Sequence, residues 1–341
     1  MTLTRNFCDL LVKVYETAMD DESHAEMLNL LVMDGVAVTF AGYSAEGPTI
    51  LRDLAGTLLG REGLQATVIG QRDKLPLLAS VRANGAAMHV LDYEPMWNPA
   101  NHSVSTVLPA LLGLIEALPY MPDRPRSPDG RTFLSAFAAG IEAQTRLRRA
   151  SNQFEPGDLV FHPPGVVGPI GAAVACGLLI GLRSDYLVHA VGIAASRAGT
   201  VLVNAGSMTK ALHCGAAAAD GLEAALLASN GFRADPDALD GPRGFLRAFF
   251  GEGADPAALL TDATLSVVDP GPAFKFYPSQ YGTHFVIDAA LKVQRALPPG
   301  NCIETVEIVC PVMPYVNRPA PPTGLAGKFS FQYVASAALL D

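Results

Sequence analysis

Two runs of small residues, GAAVACG at 171–177 and CGAAAADG at 214–221, restrict this chain more than any other feature. Each lies in a longer segment without turn signals, so each predicts a helix whose faces carry little beyond hydrogens and methyls. Such helices bury surface by bringing their backbones together, and a stack of them makes a dense helical core. The stretch around the first run, Pro163 to Leu182, has no charge, and its 20 residues match the roughly 20 that span a bilayer. It also holds Pro163, Pro164, Pro169 and five glycines, with no aromatic residue at either edge. A helix buried in protein, not in lipid, is the expectation.

Helical periodicity continues through most of the chain. The first 60 residues read as helices broken at Asp20, Asp21 and Ser23, side chains that favour turns and N-caps. ATVIG at 66–70 predicts a short strand. Helices follow over about 75–91, 103–118 and 132–150, with Pro119–Gly130 a surface loop because it carries four prolines in twelve residues. Pro169 suits the first turn of the uncharged helix, Ser184 or Asp185 caps another that ends near Gly199, and a long one runs from Ser207 to a stop at Gly231. Past residue 261 the pattern changes. ATLSVVD and TVEIVC alternate like strands, and THFVIDAALKVQRAL between them reads as a helix. The expected architecture is mainly α: a large all-helical domain over 1–265, then the beginning of a smaller α+β domain over 266–341. The last helix reaches Asp341 in mid-pattern, which predicts a chain cut short at its C-terminus.

Composition narrows the partners. Lys and Arg number 24 against 33 Asp and Glu, a net charge of -9, so no long-range field draws nucleic acid or an anionic membrane. A small molecule is the expected partner. The five Cys are scattered, with no Cys-x-x-Cys pair, which argues against a disulfide framework or an iron–sulfur cluster and for reduced, cytoplasmic thiols. The N-terminal MTLTRNFCDLLVKVYETAM carries Asp9, Lys13 and Glu16, so it predicts a helix and not a signal peptide.

Polar chemistry is concentrated in Asn84–Thr106, NGAAMHVLDYEPMWNPANHSVST, which places Asp92, Glu94, Asn98, Asn101 and His102 in a turn between two helices. Elsewhere, His162, Lys210, His284 and Tyr333 sit beside Gly, Pro or helix starts. Each of these taken alone has a plain structural reading, since a single His is most often a hydrogen-bonded framework residue. Lys210 says more. With Ser207 as N-cap it falls in the first turn, where a cation opposes the helix dipole unless an anion shares the site; a surface lysine is the alternative. His213 lies one turn on. Three groups that are or can become cationic, Lys210, His162 and His284, at helix starts point to a substrate with more than one carboxylate. Asp92 is then a base, or the partner that orients His102.

ANGAAMHVLDYEPMWNPANHSVSTVLPALLGLIEAL resembles the signature of the MmgE/PrpD family. FHPPGVVGPIGAAVACG, GSMTKALHCGAAAADGLEAALLASNGF, FKFYPSQYGTHFVIDAAL and KFSFQYVASAALLD are similar to further family blocks in the same order, so the resemblance spans nearly the whole chain. It implies an all-helical domain plus a lid, usually as a homodimer, that acts without metal or organic cofactor on small di- or tricarboxylates. The family includes 2-methylcitrate dehydratase, cis-aconitate decarboxylase and iminodisuccinate epimerase. Carried over residue by residue, its catalytic positions fall on Asp92, His102, His162, Lys210, His284 and Tyr333, with Lys275 a further cation near the substrate. Two departures stand out. Glu94-Pro95-Met96 replaces the usual Asp-Asp-Thr, exchanging a substrate-touching hydroxyl for a thioether, and His102-Ser103-Val104 replaces His-Pro-Ser. The resemblance therefore implies a lyase, dehydratase or decarboxylase, with an epimerase or a catalytically degenerate carboxylate-binding dimer as the alternatives.

Overall fold

The computed structural model describes residues 2–340 except 61, 123–127, 156, 158 and 299–301. The described residues are mainly helical. In chain order the helices are α1 (Leu3–Thr17), α2 (Glu22–Gly42), α3 (Glu46–Leu58), α4 (Leu77–His89), α5 (Val104–Ala117), α6 (Gly130–Ala150) and α7 (Pro163–Leu179). They continue with α8 (Ser184–Ala195), α9 (Met208–Ser229), the short α10 (Phe245–Phe250), α11 (His284–Ala296), the single turn α12 (Gly324–Gly327) and α13 (Phe331–Leu340). Two three-residue strands, β1 (Gln65–Thr67) and β2 (Lys74–Pro76), form one antiparallel pair with Ala66 opposite Leu75. The surface loop expected at Pro119–Gly130 falls partly on 123–127, outside the described residues.

The small-residue helices are the centre of the packing. Helix α7 is buried at every position and lies against α5, α6, α8 and α9, while α9 also meets α4. Close approach explains the composition. A Cβ on Gly221 of α9 would lie 2.4 Å from the carbonyl oxygen of Pro169 in α7, and one on Gly215 would lie 2.1 Å from that of Arg82 in α4. Backbone meets backbone at both crossings.

Helix α7 starts six residues before Pro169. Pro163 and Pro164 occupy its first turn, where a missing N–H costs nothing, and Pro169 lies inside. The carbonyl that Pro169 leaves without a helical donor, on Gly165, accepts from the Gly199 N–H at 3.1 Å, so the proline is accommodated without an orphan acceptor. Helix α8 ends at Ala195, short of Gly199. Among the described residues one helix, α2, is long and apolar enough to cross a membrane; Leu28, Leu31, Gly35, Val38 and Gly42 bury one of its faces.

Beyond residue 260 the alternating segments do not form strands. Residues 263–269 and 305–310 have no ladder partner among the described residues, and Val306 and Val309 are exposed. Alternation marks a half-buried surface but supplies no neighbour to pair with. Leu259 and Val267 of this part are buried in the core of the bundle, and polar bonds add to that tie. Arg146 in α6 donates to the carbonyls of Leu259 and Thr261, and Glu142, one turn away and bonded to Arg146 at 2.7 Å, accepts the Ser266 N–H. Trp97 Nε1 donates to the Ser266 carbonyl at 2.9 Å. Met96 and Ala273 then exchange a pair of backbone hydrogen bonds, which brings Lys275 alongside the 92–102 turn.

Candidate active site

The turn between α4 and α5 is held from below. Arg148 of α6 donates to the Ala100 carbonyl, and the Asn101 amide bonds Ser103 and Gln144. At its start Asp92 takes a left-handed backbone, φ 51°, a conformation Asp tolerates better than most residues, with its N–H on the His89 carbonyl at 2.8 Å. That turn out of α4 aims the carboxylate back into the bundle, where it is 3% exposed.

Two lysines converge on it. Lys210 Nζ donates to Asp92 Oδ1 at 2.9 Å, and Lys275 Nζ lies 3.2 Å from Oδ2 while donating to the Asp92 carbonyl at 2.6 Å. Burial pushes the Asp92 carboxyl up, but Lys210 and Lys275 outweigh it and hold the group well below the usual carboxylate range. Burial likewise pushes Lys275 down, against the attraction of Asp92. Ser207 is the N-cap of α9, as expected, but its hydroxyl donates to the Asn204 carbonyl and makes no capping bond. Lys210 sits in that first turn and is buried, which rules out the surface alternative.

Four imidazoles surround the lysines. His162, the N-cap of α7, directs its ring inward without capping the helix; its Nδ1 lies 3.2 Å from that of His213. His102 Nε2 is 3.6 Å from Asp92 Oδ1 and its Nδ1 3.5 Å from Glu94 Oε1, contacts longer than hydrogen bonds. His89, at the end of α4, packs edge-on to His102 with ring centroids 4.8 Å apart. Burial and neighbouring cations lower all four. His102 and His162 fall well below the ordinary imidazole value, and His213 falls to about 4. For His89 burial outweighs the opposing pull of Glu94. All four are neutral at pH 7.

A cavity of about 350 Å³ opens over this cluster, lined by Asp92, Met96, His102, His162, Lys210 and Lys275. Arg318, Tyr281, Tyr315 and Phe329 line it as well, Phe329 with its ring centroid 5.3 Å from Lys210 Nζ, and Leu159, Val160, Leu202 and Val203 form an apolar rim on which Val160 and Val203 are exposed. The structure thus places Asp92, His102, His162, Lys210, Lys275 and Met96 on one cavity, with Ser207 on a smaller adjoining one. His284 stands behind that wall, its ring against Tyr277 and Tyr281 and its Nε2 without a hydrogen-bond partner. Tyr333 stands apart from the cavity. It is 45% exposed on α13, with its ring over Gly327; the tyrosines that reach the cavity are Tyr281 and Tyr315.

Sequence reasoning passes over His89, Arg318 and Tyr315. His89 sits in NGAAMH among small apolar residues, and its signal is its place in the stretch that resembles the family signature, three residues before Asp92. Donor atoms of His89, His162 and Cys214, and of His89, Glu94 and His102, fall within 4.8 Å of one another. The Lys210 ammonium, 2.6 Å from His89 Nε2, occupies one of those donors and repels a cation at both trios. The cluster is built for anions: with the imidazoles neutral, two ammoniums and the Arg318 guanidinium outnumber the Asp92 and Glu94 carboxylates.

The chain is 38% identical over 322 residues to human cis-aconitate decarboxylase and 36% identical over 320 to the mouse protein of that name, in each case over 91% of this chain. Cis-aconitate decarboxylase of Aspergillus terreus is 26% identical over 335 residues. The chain spans 65% of the length of the human relative and 64% of the mouse one. Residues 8–257 match the MmgE/PrpD N-terminal domain, a span that takes in every helix from α2 to α10 and the Asp92, His102, His162 and Lys210 side chains, and on that match the chain belongs to the MmgE/PrpD family.

Proposed function

We propose that this protein is a lyase that decarboxylates a small tricarboxylate of the cis-aconitate type without a bound metal or organic cofactor. The observation that carries the reading is the pair of buried lysines bridged by Asp92 on the floor of the cavity. Lys210, Lys275 and Arg318 hold the carboxylates that stay, leaving the departing one toward the apolar rim, where it loses hydration and its C–C bond is weakened. Breaking that bond releases CO₂ and leaves the electron pair on carbon, spread toward a retained carboxylate that the ammoniums stabilise. A proton on carbon completes the reaction. His102 and His162 are neutral in the free protein, but a bound trianion reverses their electrostatic surroundings. One of them takes up a proton on binding and delivers it to the carbanion.

The relatives' names support decarboxylation over dehydration, since the human, mouse and Aspergillus terreus proteins are each called cis-aconitate decarboxylase. Met96, whose thioether faces the cavity in place of a hydroxyl, favours one alternative: a family scaffold that binds carboxylates without turning them over. The test is NMR in D₂O with cis-aconitate, 2-methylcitrate and citrate, with Lys210→Ala as control. Loss of cis-aconitate with deuterium on the product carbon, in the wild type only, supports the lyase. Binding without product or exchange supports the alternative.

A further inference from the structure

We propose that His89 and Glu94, neither of which lines the cavity, are a positioning pair that holds the Lys210 ammonium in its working place; the inference rests on the lyase reading of the cavity. Lys210 stands in the first turn of α9, where the helix dipole repels a cation, so its placement needs acceptors. It has two, Asp92 Oδ1 at 2.9 Å and His89 Nε2 at 2.6 Å. An ammonium has three N–H donors and no acceptor, so His89 Nε2 must carry a bare lone pair, and the third N–H remains for the cavity.

The other side of the ring imposes the same condition. His89 Nδ1 makes a short contact with Glu94 Oε1, and Glu94 is fully buried. A carboxylate only accepts, so the ring proton belongs on Nδ1. Ammonium and carboxylate, on opposite edges of one imidazole, thus select the same tautomer. Take away Glu94 and the Nδ1 proton has no acceptor. Move that proton to Nε2 and it faces the ammonium, which must leave. Glu94 therefore acts on Lys210 through His89, at a distance from the substrate.

Packing alone is the competing explanation, and two substitutions separate it. Glu94→Leu keeps most of the volume and removes the acceptor; Glu94→Asp keeps the acceptor and shortens the side chain. A positioning role predicts that Glu94→Leu lowers kcat on cis-aconitate by on the order of 10²-fold, the effect of displacing a catalytic group by about an ångström, and by more than it raises KM. It also predicts that Glu94→Asp retains more of kcat than Glu94→Leu. The opposite order overturns the proposal in favour of packing. A second measurement needs no variant to fold: two-bond ¹H–¹⁵N correlations of the wild-type histidines above pH 7 report the tautomer of His89. The Nδ1–H form is expected, and the Nε2–H form overturns the proposal. Should the wild type fail to turn over cis-aconitate, the lyase reading falls, while the tautomer still decides this one.

Discussion

Asp92 Oδ1 and the Lys210 ammonium lie 2.9 Å apart in the interior of the bundle, and neither side chain is more than 10% exposed. Removing one partner of such a pair is more damaging than replacing both, because the survivor keeps its charge without a counter-charge. Asp92→Asn, which leaves Lys210 and Lys275 facing each other, is expected to lower unfolding free energy by about 3–5 kcal/mol. Urea denaturation measures it. The pH dependence follows from the same pair: a carboxyl held below its unfolded value of about 3.9 contributes stability above that pH and loses it only as pH falls through the lower, folded value. The wild-type advantage over Asp92→Asn therefore persists at pH 5 and shrinks below about pH 4.

Substrate binding is expected to take up a proton. His102 and His162 are neutral in the free protein because burial, with Lys210 or Lys275 nearby, disfavours imidazolium; a tricarboxylate in the cavity favours it. The bound state then holds more protons, so affinity falls as pH rises, by up to about tenfold per unit for one proton. Calorimetry of tricarboxylate binding in two buffers of different ionisation enthalpy reads the proton count directly. A count of zero would remove the imidazoles from the role of acid.

Met96 offers a gain-of-contact test. Its backbone is fixed by the exchange with Ala273, so Met96→Thr changes the cavity wall without moving the turn. A hydroxyl that donates to a substrate carboxylate is worth about 1–1.5 kcal/mol, which lowers KM for cis-aconitate roughly tenfold. Unchanged KM would mean that the substrate does not reach this wall.

Glu142 and Arg146 anchor the 259–266 segment. Glu142→Leu strips Arg146 of its partner and frees the Ser266 N–H, and it is expected to expose this segment to limited proteolysis before the rest of the chain. Trp97, the sole tryptophan, reports the same event, because its indole bonds the Ser266 carbonyl. Its emission moves to the red as that contact opens. Equal protease resistance and unchanged emission would show that the apolar packing of the segment suffices.

The helices were legible in the sequence wherever periodicity and stop signals agreed, as over α4, α5, α6 and α9. The ends were less so. Pro169 looks like a first-turn residue until Pro163 and Pro164 are seen to take that place and Gly199 to fill the vacated acceptor. TVEIVC has the alternation of a strand, but a strand exists only with a neighbour, and no local pattern encodes one. The candidate site divides in the same way. His162 and Lys210 stand at helix starts and announce themselves, whereas His89 sits inside an apolar helix, and Arg318 and Tyr315 reach the cavity from a segment without regular structure. Tyr333 shows the reverse: a family block fixes a residue's neighbours along the chain but not which way its ring points.

The crossing of α4 and α9, where Gly85 and Gly215 face each other with no side chain between, also sets a length. His89 and Asp92 are carried by the end of α4 and Lys210 by the start of α9, so the thickness of two bare backbones is the ruler from which the 2.6 Å and 2.9 Å spacings are cut. A single methyl at that crossing, little more than one helical turn from His89 and from Lys210, would reset the spacing of Asp92 and Lys210 on the cavity floor.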